Sequence, residues 1–141
     1  MRLPSAAALA LCAAPALAQD APDLVTVVTS DNAQTQLMSM VLTNQALGQD
    51  KSVHILLCGP GGDIALTDAP QSATAGQPPK DMSPQQLLQA AISKGATAEV
   101  CAIYLPGEGV GESALVDGVG VAKPPEMAGA MLGDATQVWS F

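Results

Sequence analysis

Basic and aromatic residues are scarce in this chain of 141 residues. It has five lysine and arginine residues in total, and one each of histidine, tryptophan, tyrosine and phenylalanine. Residues 19–141 contain all 13 acidic residues and four lysines, so this part of the chain has a net charge of 4 − 13 = −9. Such a charge disfavours nucleic acids and anionic membranes as partners. The only arginine is Arg2, so the bidentate clamp for phosphates and carboxylates is missing and nucleotide chemistry is disfavoured.

The single histidine limits the catalytic machinery that the chain can build. A Ser/His/Asp triad or a Cys/His dyad would have to use His54, and a zinc site would need His54 together with two cysteines. His54 lies in an apolar stretch between Val53 and Ile55. We interpret it as a core or near-surface residue with satisfied hydrogen bonds, and we expect no cofactor and no metal ion.

Long apolar runs are absent except at the start of the chain. Residues 1–18 begin with Arg2, continue through an Ala/Leu-rich core and end in Ala16-Leu17-Ala18, which is the pattern of a secretory signal peptide. We expect cleavage before Gln19, loss of Cys12 with the signal, and a periplasmic protein in a Gram-negative host. Residues 19–141 suffice for a single domain. No later segment offers the roughly 20 apolar residues that cross a bilayer, so we expect no membrane insertion after cleavage.

Strand and helix patterns alternate along the remaining chain. Apolar, β-branched runs predict strands at residues 24–29, 52–58, from about 98 onwards, and 137–141. Helices are predicted at residues 32–47, 84–94 and 124–132, with a helical turn at 113–116 and a long loop at 59–82. This order predicts a three-layer α/β domain with a mostly parallel sheet of four to five strands.

The caps of the first two helices are readable in the sequence. Ser30 and Asp31 offer N-cap side chains to the first helix, and Gly48 is placed to end it. Ser83 and Gln86 predict a capping box for the second helix.

The first predicted helix is apolar on two sides. Its main apolar face consists of Leu37, Met40, Val41 and Leu47, and a second strip contains Met38 and Leu42. Such a helix lies deep in a protein or touches another subunit.

Five methionines raise the alternative of a copper site that also uses the cysteines. They are Met38, Met40, Met82, Met127 and Met131. Four of them fall on predicted helices at spacings that suit core packing, and we favour that interpretation.

Cys58 and Cys101 lie at or near the ends of two predicted parallel strands. The crevice outside the carboxyl ends of such strands is the usual place for a functional site. Two alternatives remain: Cys101 is a buried hydrophobe if its strand continues to Leu105, and Cys58 has a structural role. A disulfide between the two requires Cα atoms within about 7 Å.

Several segments of the second half resemble the DsrE/DsrF-like family in their order and content. They are Val100-Cys101, Leu105-Pro106-Gly107, Leu115 to Val119, Met127-Ala128, and Val138 to Phe141. The resemblance implies a flavodoxin-like α/β fold, assembly into trimers or hexamers, and transfer of sulfane sulfur as a cysteine persulfide. Carried over from the family, the sulfur-bearing thiol would be Cys101. Cys58, which lies outside the segments that carry the resemblance, is a candidate partner thiol because of its position at the end of another predicted strand. Tyr104 stands where relatives with a CxxC motif have a second cysteine.

We therefore predict a periplasmic DsrE-like homo-oligomer in which Cys101 carries sulfur or takes part in thiol redox chemistry, with a sulfur-transfer protein as partner. The alternative is a non-catalytic oligomeric binding or assembly module. In that case Cys101 is buried and the loop at 59–82 contacts the partner.

Overall fold

A parallel five-stranded sheet organises the chain. The computed structural model describes residues 21–141, so the predicted signal peptide and Cys12 lie outside the described residues. The strands are β1 (Leu24–Val28), β2 (Val53–Leu57), β3 (Thr97–Val100), β4 (Val119–Val121) and β5 (Gln137–Ser140). Their order across the sheet is β4-β3-β2-β1-β5, and every neighbouring pair is parallel. The predicted α/β class with a parallel sheet is confirmed.

Helices cover both faces of this sheet. They are α1 (Ala33–Leu47), α2 (Gln71–Thr74), α3 (Pro84–Ser93), α4 (Tyr104–Glu108) and α5 (Pro124–Met131), with 3-10 helices at Gly59–Ala65 and Glu112–Ala114. On one face, Met40 of α1 and Leu88 of α3 share a core cluster with Ile55 and Leu57 of the central strand. On the other face, Met127 of α5 packs near Val25 and Leu56. No helix in residues 21–141 combines the length and apolar character needed to span a bilayer.

The two long helices begin at side-chain caps. The capping box of α3 is confirmed, because the Ser83 hydroxyl accepts from the Gln86 backbone N–H and the Gln86 side chain accepts from the Ser83 N–H. The predicted N-cap residues of α1, Ser30 and Asp31, were wrong by one or two positions. Its N-cap is Asn32, whose Oδ1 accepts from two backbone N–H groups at 3.0 Å. An amide oxygen caps as well as a serine or aspartate oxygen does. Gly48 ends the helix as predicted.

The inward face of α1 differs from the one that the sequence predicts. Met40 is fully buried, and Leu47 packs against the same core cluster. Leu37 and Val41, which the periodicity places in the core, are only half-buried. Small and polar residues take the inward positions, because α1 packs closely on both β1 and α3. These residues hydrogen-bond to one another and to the neighbouring elements.

The segment at 59–82 is folded, so the prediction of a long loop was wrong. It contains a seven-residue 3-10 helix and α2, and its residues Ile64, Ala65 and Ala73 are fully buried in the main core. Glycine is required at position 61, because a Cβ there would collide with the Val28 carbonyl group where the segment crosses the end of β1.

Strand β4 has no counterpart among the predicted elements. It has three residues, includes Gly120, and pairs with β3 at the edge of the sheet. A strand this short carries too little alternation to be recognised. The helix predicted at 124–132 and the strand at 137–141 are confirmed as α5 and β5.

Candidate functional site

The two cysteines occupy matching positions on neighbouring strands. Leu57 and Val100 are the last paired residues of β2 and β3, and Cys58 and Cys101 follow them directly. Their Cα atoms are 5.1 Å apart and the side chains form a disulfide, within the range that disulfides require. Backbone hydrogen bonds fix both residues: the Cys58 N–H donates to Val28 O at 3.0 Å, and the Cys101 N–H donates to Leu57 O at 2.8 Å.

The disulfide lies at the carboxyl edge of the sheet, on the face covered by α5. Both cysteines are partly exposed, and both contact the apolar cluster that contains Val25, Leu56 and Met127. The chain turns away directly after Cys101, since the Tyr104 N–H donates to Cys101 O at 2.8 Å and α4 begins there. The strand therefore does not continue to Leu105, and Cys101 is not a fully buried packing residue.

The two cysteines differ in the side chains exposed next to them. Cys58 is followed by the exposed residues Gly59 and Pro60 and then by the buried Gly61 and Gly62 of the 3-10 helix. Ile103, two residues after Cys101, is 81% exposed. A partner molecule therefore meets a large apolar side chain on the Cys101 side of the disulfide.

A hydrogen bond between Tyr104 and Asp63 connects the segments that follow the two cysteines. The Tyr104 hydroxyl donates to Asp63 Oδ1 at 2.7 Å, and the tyrosine ring lies against Gly62 so closely that a Cβ there would be 2.5 Å from a ring carbon. Burial raises the pKa of Tyr104, and the hydrogen bond to Asp63 raises it further. This hydrogen bond is a second link between the two segments, besides the disulfide. Nothing in the sequence signals this pairing, because 41 residues separate its members.

His54 lies well away from the cysteines. Its Nε2 is 2.7 Å from Glu99 Oε2, and both side chains are mostly buried. The pair lines a cavity of about 530 Å³ that also includes Thr97 and Glu126. His54 precedes Cys58 by four residues along an extended chain, so at the usual rise per residue of a strand their Cα atoms are about 13 Å apart. His54 is thus a satisfied histidine, as predicted, and forms no dyad with either thiol. The sequence analysis missed Glu99 as its partner, since cross-strand register is not visible locally.

The methionines are dispersed. Met40 and Met127 are buried in clusters on opposite faces of the sheet, which confirms their predicted core role. The same prediction was wrong for Met38, which is 52% exposed. Within residues 21–141, no group of three or more His, Cys, Asp and Glu side chains is arranged to hold a metal ion.

Known proteins resemble this chain in structure and not in detectable sequence. No protein-family model matches it, and no curated protein is similar to it. The YchN protein of Escherichia coli is 18% identical with a TM-score of 0.62, over 84% of this chain and 97% of that one. A protein of unknown function from Methanobacterium thermoautotrophicum, MTH1491, is 14% identical with the same TM-score and coverage. Both have the DsrE/DsrF-like fold, and this chain shares that fold.

Proposed function

We propose that this chain is a periplasmic thiol-redox protein of the DsrE/DsrF-like family whose Cys58–Cys101 pair alternates between a disulfide and a dithiol. The observation that carries the proposal is the position of the pair. Two cysteines stand side by side at the carboxyl ends of adjacent parallel strands, 5.1 Å apart between Cα atoms and only partly buried. This edge is where α/β proteins of this kind place their functional groups.

Cys101 is the thiol that meets the partner. The exposed Ile103 beside it offers an apolar contact surface, whereas the exposed residues that follow Cys58 are Gly59 and Pro60, which carry no large hydrophobic side chain. In the reductive direction, a thiolate of a dithiol partner attacks Cys101 Sγ, forms a mixed disulfide and releases Cys58 as a thiolate. The partner's second thiol then attacks the mixed disulfide. Cys101 leaves as the second thiolate, and the partner leaves as a disulfide. The thiolates of Cys58 and Cys101 each take up a proton.

Sulfur transfer is the second candidate, favoured by the DsrE/DsrF-like fold. Here Cys101 carries a persulfide, and the Cys58 thiolate attacks Cys101 Sγ to expel the outer sulfur as hydrosulfide and form the disulfide. A dithiol is then needed to restore the two thiols. This route keeps the role of sulfur carrier that the family resemblance gives Cys101, and it uses Cys58 as the partner thiol.

The proposed location agrees with the disulfide and with the first residues of the chain. Disulfides persist in oxidising compartments such as the periplasm, and residues 1–18 have the pattern of a secretory signal. The excess of acidic residues is compatible with a protein partner and disfavours nucleic acid.

Intact mass spectrometry of protein isolated from the periplasm without reductant tests the proposal. We expect the wild type to lack two hydrogens relative to its reduced form, and Cys58→Ser to hold a small-thiol adduct or an extra sulfur atom on Cys101. An extra sulfur atom selects sulfur transfer, and a small-thiol adduct selects redox exchange. An unmodified Cys101 in Cys58→Ser, together with a wild-type disulfide that resists reduction until the fold is denatured, would favour the non-catalytic assembly module.

A further inference from the structure

The cavity of about 530 Å³ beside His54 lies at the end of the sheet opposite the disulfide. It is lined by the first residues of β2 and β3 and by one side of α5. Its volume falls within the range of small-molecule sites in proteins. Neither Cys58 nor Cys101 lines it, so a ligand bound here would be separate from the thiol chemistry.

Small residues on α5 leave the cavity open. Glu126, Gly129 and Ala130 are three and four residues apart and therefore share one side of the helix. All three line the cavity, and a Cβ added to Gly129 would meet no heavy atom within 4 Å. The space beside α5 is therefore free for a ligand, and a larger side chain at position 129 would extend into it.

The His54–Glu99 pair supplies acceptors for a ligand. An ionised carboxylate can only accept, so His54 Nε2 donates in the 2.7 Å contact with Glu99 Oε2. In the neutral imidazole, Nδ1 is then an acceptor. Within residues 21–141, the hydrogen bonds of these two side chains use only Nε2 and Oε2. Neither His54 Nδ1 nor Glu99 Oε1 is sealed from the surface, so both can accept from a ligand.

The sign of the charge identifies the class of ligand. Two carboxylates line the cavity, those of Glu99 and Glu126, and none of its lining residues within 21–141 is a lysine. Lys123 pairs with Glu126, but both side chains are largely exposed, so solvent screens that pair. The part of the chain with 13 acidic residues has only four lysines. An anion would therefore be repelled from this cavity and a cation attracted to it.

We propose that this cavity binds a small aliphatic diamine in its protonated form. One ammonium group donates to Glu99 Oε1, and the second donor of the ligand reaches His54 Nδ1. The hydrocarbon chain lies along Ala21, Pro22 and Ala130, which belong to the apolar part of the lining. A metal ion suits the cavity less well, because within the described chain no group of three or more His, Cys, Asp and Glu side chains is arranged to hold one.

Isothermal titration calorimetry of the disulfide-bonded protein with 1,4-diaminobutane tests the proposal. We expect one saturable site per chain. Glu99→Gln keeps an acceptor for His54 Nε2 but removes the charge, and it should raise the Kd at least about tenfold. Gly129→Leu fills the cavity without changing any charge and should abolish binding. The matched control is Glu112→Gln, which removes an exposed carboxylate that does not line the cavity and should leave the Kd unchanged.

Four results would overturn the proposal. They are no saturable binding at millimolar diamine, equal weakening by Glu99→Gln and Glu112→Gln, a wild-type Kd in Gly129→Leu, and binding of butyrate as tight as that of the diamine. A lysine peptide with blocked ends that binds more tightly than the diamine would also overturn it, since the occupant would then be a lysine side chain of a protein.

Urea unfolding shows whether each variant is folded. The two cavity variants change different properties, the charge at Glu99 and the free volume at Gly129, so either one decides the matter if the other fails to fold. The titration involves no thiol, so it can fail while the proposed redox function holds.

Discussion

Breaking the disulfide should lower the free energy of unfolding by an amount that depends on the length of the loop that the disulfide closes. The perturbation is reduction of Cys58–Cys101 in the wild type, or replacement of both cysteines by alanine. Because 43 positions separate the two residues in sequence, the disulfide closes a long loop in the unfolded chain. The chain-entropy relation gives about 4 kcal/mol for a loop of this length. That is a large share of the roughly 5–15 kcal/mol that stabilises a typical domain.

The folded state should survive this loss. β2 and β3 remain paired through their backbone hydrogen bonds, and Tyr104 still donates to Asp63 across the segments that follow the cysteines. The reduced protein should therefore fold to the same structure with a lower free energy of unfolding. Its urea m-value should rise, because the unfolded chain without the cross-link exposes more surface.

Urea unfolding with and without a reductant measures the effect. We expect the wild type to lose about 4 kcal/mol on reduction and the double alanine variant to be insensitive to the reductant. The reasoning is refuted if the fully reduced wild type unfolds at the same urea concentration as the oxidised form. It is also refuted if the double variant responds to the reductant as strongly as the wild type does.

Three further predictions concern individual residues. Asn32→Ala should cost about 1 kcal/mol in urea unfolding because it removes the cap of α1, whereas Asp31→Ala, which removes no cap, should cost almost nothing. Gly62→Ala should cost about 1–3 kcal/mol through collision with the Tyr104 ring, whereas Gly107→Ala has open space and should be tolerated; equal effects on stability would contradict the contact. Tyr104 is the only tyrosine, and burial followed by the Asp63 hydrogen bond raises its pKa above the ordinary 10.0. Its contribution to stability is therefore complete below pH 10 and falls at higher pH, so tyrosinate absorbance should appear together with unfolding and not before it.

Local signals explain what the sequence predicts well. β1 is a continuous run of β-branched and apolar residues, β2 is such a run interrupted only by His54, and the α3 capping box lies within four consecutive residues. The fold class follows from the order of such elements along the chain. The positions of Cys58 and Cys101 at strand ends are predictable for the same reason.

Tertiary register explains what the sequence does not predict. The pairing of Cys58 with Cys101 depends on the alignment of Leu57 with Val100 across two strands. The partners of His54 and Tyr104 are 45 and 41 residues away in the chain. The inward positions of Thr43 and Asn44 on α1 depend on hydrogen bonds to β1 and α3, which override the apolar periodicity of the helix.

The central claim is that the Cys58–Cys101 pair exchanges with thiols while the protein remains folded. The most direct test is to treat the folded, oxidised protein with a small dithiol, trap the free thiols by alkylation, and compare the rate of reduction with the rate of global unfolding under the same conditions. We predict that reduction is much faster than unfolding and that the first trapped mixed disulfide is on Cys101. Reduction that occurs no faster than global unfolding would contradict the account and assign the disulfide a purely structural role.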